Sequence, residues 1–563
     1  MEEWRKDFYQ EIKNISDEFV VNKPKLELSR ADYFTFFKIG NRLEFEYKYF
    51  ERRKYLTALA MMAYIENNDE YHTALERIIN LICSEYSWAL PAHLPESPEY
   101  IDYSDKSNMI IDLFAAETAQ SLSEIIHLFS DSLSSELQAK VHEEIQKRIF
   151  TPFGSKEWGW EKLKNNWSSV IASCIGMIAL YELPYESNEQ LAILSRLRSV
   201  FSVYFSSFGQ DGACEEGVAY WAYGFGYFNY FNECYRTVYK KDFYCDKELL
   251  RQIAAFPSRV ELADGLYVPF SDATEAELPS GLLSYCQSNY SVSIPKVKYV
   301  TSIEHDSCYR WAVNFRNWIW TKPVAENLPA FSVSHFFNDV QWLIYKNQHF
   351  FFAAKGGHNS ESHNHNDIGH FILGNSSNLV FTDLGAGEYT KFYFDDRYRY
   401  DILNNRSLGH SVPVINGCEQ KNGNYGATEV QYKNKNQQIS FEMTIDEVYP
   451  SNAELKYYKR SFIILTDSIE VYDQMLFQKA DNTVIQNLVC VNQPIIKDKL
   501  LVWKNNHLTY ELMLESSDYE ISVNATEYFD HQGEVQEIFL VQITKNHIDY
   551  QYDFRMKINF KED

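Results

Sequence analysis

Trp167, Val170, Ile171, Cys174, Ile175 and Ile178 recur at steps of three and four, which places them on one face of an amphipathic helix. Similar stripes run through Met109–Phe129, through Leu137–Ile149 behind a capping Ser134, and through Leu191–Tyr204. With short polar connections between them, and no strict sequence repeat, these stripes predict helical hairpins stacked in series over residues 1–320, as in a bundle, solenoid or toroid. The pattern breaks at Lys322-Pro323 and Leu328-Pro329. Beyond it come short segments rich in β-branched and aromatic residues: Val340–Tyr345, Phe350–Ala354, Gly369–Leu373, Leu379–Asp383 and Val412–Ile415. Phe462–Leu465 and Ile469–Tyr472 read as a hairpin across Thr466-Asp467-Ser468. Strands at this spacing with no helices between them predict an antiparallel β-sandwich over residues 321–563.

At 563 residues the chain is long enough for two or three domains with cores of their own. It carries 41 Tyr, 38 Phe and 11 Trp; core packing accounts for most of these, and the surplus suits grooves where sugar rings stack. The net charge of −25 argues against nucleic acid or an anionic membrane surface as the main partner, since both select a basic footprint. An anionic substrate is compatible with that charge only at a locally neutral or basic site. The N-terminus lacks an apolar signal core, and no run reaches the ~18 apolar residues of a membrane span. Nine scattered cysteines with no CxxC read as reduced thiols. Together these features predict a cytoplasmic protein.

The densest chemistry lies in Gly357–Leu373, which holds His358, His363, His365, Asp367 and His370. If its centre is extended, His363, His365 and Asp367 share one face. Such a set suits metal binding, proton transfer or both, against the plain alternative of hydrogen-bonded structural histidines. Phe381-Thr-Asp-Leu-Gly385 and Asn405-Arg-Ser-Leu-Gly-His410 add Asp383 and His410, two more residue types that zinc accepts. Two further stretches stand out. In Lys164-Asn-Asn-Trp167, Asn165 or Asn166 is either a helix N-cap or an amide for a substrate oxygen. In Gly209–Gly224, Asp211-Gly212 marks a turn and Glu215-Glu216 stand at the mouth of a helix, where its dipole favours carboxylates. Tyr220, Tyr223 and Tyr227 follow at helical steps, as a core stripe or as catalytic groups.

Taken in order, Asn-Asn-Trp, Asp-Gly…Glu-Gly-x-x-Tyr-Trp-x-Tyr-Gly, His-x-His-x-Asp-x-Gly-x-Phe, Asp-x-Gly and Arg…His resemble the heparinase II/III-like polysaccharide lyases, a bacterial family. The resemblance implies an N-terminal (α/α) toroid, a C-terminal antiparallel β-sandwich and an active site in the cleft between the two domains. It implies that Asn166 binds and neutralises a uronate carboxylate, that Tyr220 is the catalytic tyrosine with Tyr223 as alternate, and that His363 is the catalytic histidine. It further implies one structural or orienting zinc on His365, Asp383 and His410, with Asn165 and Trp167 around the substrate and Glu216 and Arg406 either touching it or orienting their neighbours. Gly-His-Ser around His410 departs from the His-Asn common in relatives. The implied reaction is β-elimination on an anionic, uronate-containing oligosaccharide, leaving a 4,5-unsaturated uronate end. Heparan sulfate, hyaluronan and chondroitin fragments are the substrates expected first, with alginate oligosaccharides as the alternative within the family, and a homo-oligomer is left open. Two other classes stay in view: a toroidal glycoside hydrolase pairing Asp211 with Glu215 or Glu216, and a non-catalytic, zinc-containing carbohydrate-binding protein.

Overall fold

The structure is a computed structural model that describes residues 1–273, 277–324, 332–375, 378–390, 392–395, 397–435, 438–505, 508–516 and 518–562. It forms two compact units. One is helical and contains the described residues of 1–208, 219–255 and 276–326; the other is built on β-sheet and contains those of 209–218, 256–275 and 327–563. Where the sequence pattern suggested one boundary at residue 320, the chain passes between the units several times, and the segments holding Glu215, Glu216 and Asp272 fold with the β unit.

In the helical unit, the predicted stripe of Trp167–Ile178 becomes the helix Asn166–Glu182. Asn165 is its N-cap, accepting the Trp167 amide at 3.2 Å. Val170, Ile171, Cys174, Ile175 and Ile178 are fully buried, and the helix packs against Leu113–Leu128 and Asn188–Phe205. Gly176 lets Val218–Tyr239 come close, since a Cβ there would stand 2.5 Å from the Phe231 ring. Ser134 caps Ser135–Ile145 with extended backbone but no side-chain hydrogen bond. The last helix, Trp311–Trp320, returns to the first, Lys6–Asn22: Phe8 stacks on Trp318, and Arg5 donates to the Trp318 carbonyl. This closes the series of helices on itself.

The β unit opens with a small hairpin, β1 (Glu261–Ala263) and β2 (Leu266–Tyr267). Its main strands are β3 (Ser332–Phe337), β4 (Trp342–Asn347), β5 (Phe351–Lys355), β6 (Phe371–Asn375), β7 (Asn378–Phe381), β8 (Val414–Ile415), β9 (Thr428–Lys435), β10 (Gln438–Thr444), β11 (Leu455–Ile464), β12 (Ser468–Phe477) and β13 (Asn482–Cys490). They are followed by β14 (Ile495–Lys497), β15 (Leu500–Asn505), β16 (Leu508–Leu514), β17 (Glu520–Phe529), β18 (Val535–Ile548) and β19 (Gln551–Glu562). One antiparallel sheet runs β17-β18-β13-β7-β6-β5-β4-β3, with β8 on β13; the other runs β14-β15-β16-β19-β12-β11-β10-β9. Alternation sets the faces: in β10, Ile439, Phe441 and Met443 point inward and their neighbours outward. The sheets meet through Phe352 and Phe371 of one and Phe462 of the other, with ring centroids 5.5 and 5.7 Å apart. The predicted hairpin is β11–β12, closed by Ile464 opposite Ile469. Two predicted strands are displaced by two residues toward the C-terminus, β4 to Trp342–Asn347 and β6 to Phe371–Asn375, and β7 ends at Phe381 rather than Asp383. Gly369, at positive φ two residues before β6, interrupts the extended backbone there.

Candidate active site and metal centre

Between β5 and β6 the histidine stretch is a series of turns rather than a strand, which corrects the one-face premise. His363 itself lies at φ +58°, and Gly357 and Gly369 at +77° and +85°. A left-handed histidine is strained and persists only where surrounding contacts hold it. Several contacts do so here. The His363 carbonyl accepts the Asp272 amide at 3.2 Å, the Ser362 amide donates to Glu215 at 3.2 Å, and the Asn366 amide reaches the Asn405 carbonyl at 2.9 Å. Asp367 forms a fully buried pair with Lys355, at 2.8 and 3.0 Å.

His365, Asp383 and His410 do come together, with Asp367: one ligand atom from each lies within 4.8 Å of the others, all four residues being buried. The hydrogen bonds fix the tautomers. His410 Nδ1 donates to the Arg406 carbonyl at 2.9 Å, leaving its lone pair on Nε2. His365 Nε2 donates to Asp272 at 2.9 Å, leaving its lone pair on Nδ1. The two lone pairs face each other at 3.2 Å, and Asp383 Oδ2 lies 3.6 Å from His410 Nε2. Two lone pairs and a carboxylate oxygen converging in this way repel unless a cation lies between them. The spacings match the edge of about 3.4 Å in a tetrahedral zinc site with ~2.05 Å bonds. Asp383 Oδ2 is buried without a hydrogen bond, while its Oδ1 is held by the Gly385 amide at 2.9 Å. Burial holds His410 down to about 4, so it is neutral, as a ligand must be. His370 accepts the Ser411 amide on Nδ1 at 2.8 Å, which leaves its proton on Nε2, 3.3 Å from Asp383 Oδ2 but outside hydrogen-bond geometry. The donor set therefore fits zinc.

His363 stands next to this centre. Its Nδ1 donates to Asp272 Oδ2 at 2.8 Å, and its Nε2 lies 3.5 Å from Glu216 Oε1. Burial opposes a charged imidazole, but the Asp272 hydrogen bond and the Glu216 charge outweigh it and raise the His363 pKa. Asp272 is the group the sequence reading missed. It is fully buried, accepts from both His363 and His365, and is also contacted by Tyr393, Tyr389 and Arg399. Burial would raise its pKa, yet these donors carry it well below the carboxylate range. Two aromatic rings stand by the histidine: Phe394, 53% exposed, edge-on at 5.6 Å, and Tyr389, stacked at 6.4 Å. The arginines of this loop region are each matched by a carboxylate, Arg399 by Asp272, Arg397 by Asp395 and Arg406 by Glu419. Arg406 thus lends its carbonyl to His410 while its guanidinium is engaged elsewhere.

The remaining predicted residues belong to the helical unit. Asn166 is buried in the first turn of its helix, next to the capping Asn165. Trp167 packs at 4.9 Å on His93, whose Nδ1 is bonded to Asp112 at 2.8 Å, so His93 joins this corner unforeseen. Tyr220 is half-buried near the start of Val218–Tyr239. The Tyr223 hydroxyl is sealed from solvent. The Arg310 guanidinium lies 4.4 Å over the Tyr223 ring and is itself paired with Glu117. Burial and Glu117 push the Tyr223 hydroxyl well above the usual phenol range. Among the described residues, no helix is long and apolar enough to cross a membrane.

No family model matches the chain, and no curated protein matches it in sequence. Solved structures do match. The heparan sulfate lyase of Pedobacter heparinus superposes over 98% of this chain and 83% of its own, with 12% identity and a TM-score of 0.62. A heparinase III superposes over 99% and 92%, with 11% identity and a TM-score of 0.59. The chondroitin AC lyase of Streptomyces coelicolor A3 does so over 99% and 79%, with 9% identity and a TM-score of 0.54. The chain therefore has the fold of the heparinase-like polysaccharide lyases, helical first and antiparallel β second.

Proposed function

We propose that the protein is a lyase that cleaves uronate-containing oligosaccharides by β-elimination. The observation that carries this reading is His363: one carboxylate accepts a hydrogen bond from its Nδ1–H, a second lies beside Nε2, and the exposed ring of Phe394 stands edge-on to it. In elimination the C5 proton leaves, the uronate carboxylate takes up the developing charge, and the C4–O4 bond breaks. His363 Nε2 accepts the C5 proton, and Asp272 and Glu216 stabilise the resulting imidazolium. Asn166 neutralises the uronate carboxylate, and Tyr220 gives its proton to the leaving O4. Tyr220 also serves as base when the C5 proton lies on its side. The sealed hydroxyl of Tyr223 favours Tyr220 over its alternate. Zinc, held by His365, Asp383 and His410, would supply fixed positive charge that orders the loop carrying His363, with no water to activate.

The matched arginines and the exposed Phe394 ring favour lightly sulfated or unsulfated uronates, because sulfate groups would find few unengaged cations near His363 among the described residues. Hyaluronan, unsulfated chondroitin and heparosan-type fragments fit this first, with oligoalginate as the alternative. The test is a panel of defined oligosaccharides followed by near-ultraviolet absorbance, with wild type and Tyr220→Phe side by side. A new absorbing product, lost with Tyr220→Phe and kept with Tyr223→Phe, supports the assignment; the reverse moves the acid to Tyr223. One observation favours a hydrolase instead: Glu215 is pushed up to about 7 next to Glu216, an acid–base pattern that glycosidases use. Shortened sugars without absorbance would establish that reading.

A further inference from the structure

We propose that Asp272 is a positioning residue shared by the metal centre and the base, so that one carboxylate sets the tautomers of His365 and His363 together. A neutral imidazole has a single N–H, and the group accepting it decides which nitrogen keeps the lone pair. Asp272 Oδ1 accepts from His365 Nε2 at 2.9 Å, which turns the Nδ1 lone pair toward His410 and Asp383. Asp272 Oδ2 accepts from His363 Nδ1 at 2.8 Å, which leaves the lone pair on Nε2, the nitrogen 3.5 Å from Glu216 Oε1. Each oxygen serves one histidine, so neither ring can flip without breaking a bond to the same side chain.

The carboxylate is itself held in place. Its amide donates to the His363 carbonyl at 3.2 Å, Ser271 before it lies at φ +63°, and the next carbonyl, of Ala273, accepts the Ala386 amide at 3.0 Å. Tyr393 and the Arg399 guanidinium close over its remaining lone pairs. A residue that only filled space would not need five polar partners. A carboxylate that orients a metal-bound histidine typically accounts for a 10–100-fold change in metal affinity. Here the same group also reaches the base, so loss of Asp272 disturbs both centres at once.

The His363 half of this inference rests on the lyase reading, whereas the His365 half does not. The experiment uses purified full-length Asp272→Asn, whose amide can accept from one histidine but not from both. Zinc affinity is measured by competition with a chromophoric chelator, and kcat and KM are measured at saturating zinc on whichever oligosaccharide the wild type cleaves. The expected result is 10–100-fold weaker zinc binding, together with a kcat that stays at least tenfold down under saturating zinc while KM moves less than threefold. Unchanged zinc affinity overturns the metal half, and full recovery of kcat with added zinc overturns the coupling to His363. If the wild type forms no unsaturated product on any oligosaccharide while zinc binding still weakens in Asp272→Asn, the lyase reading fails and the metal role stands. Should Asp272→Asn fail to fold, Tyr393→Phe removes one hydrogen bond to the carboxylate with the ring kept, and a smaller shift in the same direction is required of both readouts.

Discussion

Replacing Glu215 by glutamine removes a titration while leaving a contact in place. Glu215 is largely buried, and its Oε1 accepts the Ser362 amide at 3.2 Å, one residue before His363. Burial and the neighbouring Glu361 push its pKa from 4.5 up to about 7. A carboxyl group whose pKa is raised in the fold favours the folded state while protonated. That contribution is fully present below the unfolded pKa and is lost as pH rises through about 7. A rise of roughly 2.5 units corresponds to about 3 kcal/mol, and some contact with solvent brings this nearer to 2. The side-chain amide introduced by Glu215→Gln can still accept from Ser362 but carries no charge at any pH. Thermal unfolding of wild type and Glu215→Gln at pH 5 and pH 8 isolates the effect, because all other titrations cancel in the difference. Glu215→Gln should gain about 2 kcal/mol on wild type between the two pH values, or about 4 °C in Tm for a unit of this size. If the gap between the two proteins is the same at pH 5 and pH 8, Glu215 ionises in the ordinary range and the reasoning about its burial is wrong.

Three further outcomes follow from the same geometry. Dialysis against a strong chelator should lower the unfolding temperature, and zinc should restore it; His410→Ala should hold well under one zinc per chain by metal analysis. Arg460 is buried against Asp473 at 2.8 Å and also donates to the carbonyls of Gly369 and Ser411, the neighbours in sequence of His370 and His410. Arg460→Met strands the Asp473 charge and should cost about 3–5 kcal/mol in denaturant unfolding, much of it regained in Arg460→Met/Asp473→Leu. A single variant as stable as wild type would contradict this. Phe394→Ala should raise KM about tenfold while changing kcat less than about threefold in steady-state kinetics, since an exposed ring beside His363 contributes binding surface rather than chemistry.

The order of helices and then strands was legible because the periods of 3.6 and 2 are local properties. Trp167 to Ile178 repeats every three or four residues and folds as a helix, and Phe462 to Tyr472 alternates across a turn and folds as a hairpin. The convergence of His365, Asp383 and His410 was legible for a different reason: they are residue types with few bland uses at such density, and the fold brings them together with Asp367, one ligand atom of each within 4.8 Å of the others. The path of the backbone between them was not legible. Alternation in His-x-His-x-Asp suggested a strand, but His363 at φ +58° reverses the chain there, and only tertiary contacts fix so unfavourable a conformation.

Asp272 shows why the orienting groups stayed hidden. It stands 91 residues before His363 and 93 before His365 in sequence, in a stretch with no histidine, cysteine or periodic pattern to mark it. Glu215, 147 residues before Ser362, is equally remote from the loop it supports. Metal ligands and bases can be recognised from residue type, because lone pairs are properties of side chains. The direction in which a lone pair points is a property of the fold, and here it depends on a carboxylate brought in from a distant segment. A motif can therefore nominate His363 and His365 but cannot say which nitrogen of either ring is available. Without Asp272, the carboxylate that holds the His365 proton on Nε2 and the His363 proton on Nδ1 is lost, and neither ring keeps a defined lone pair.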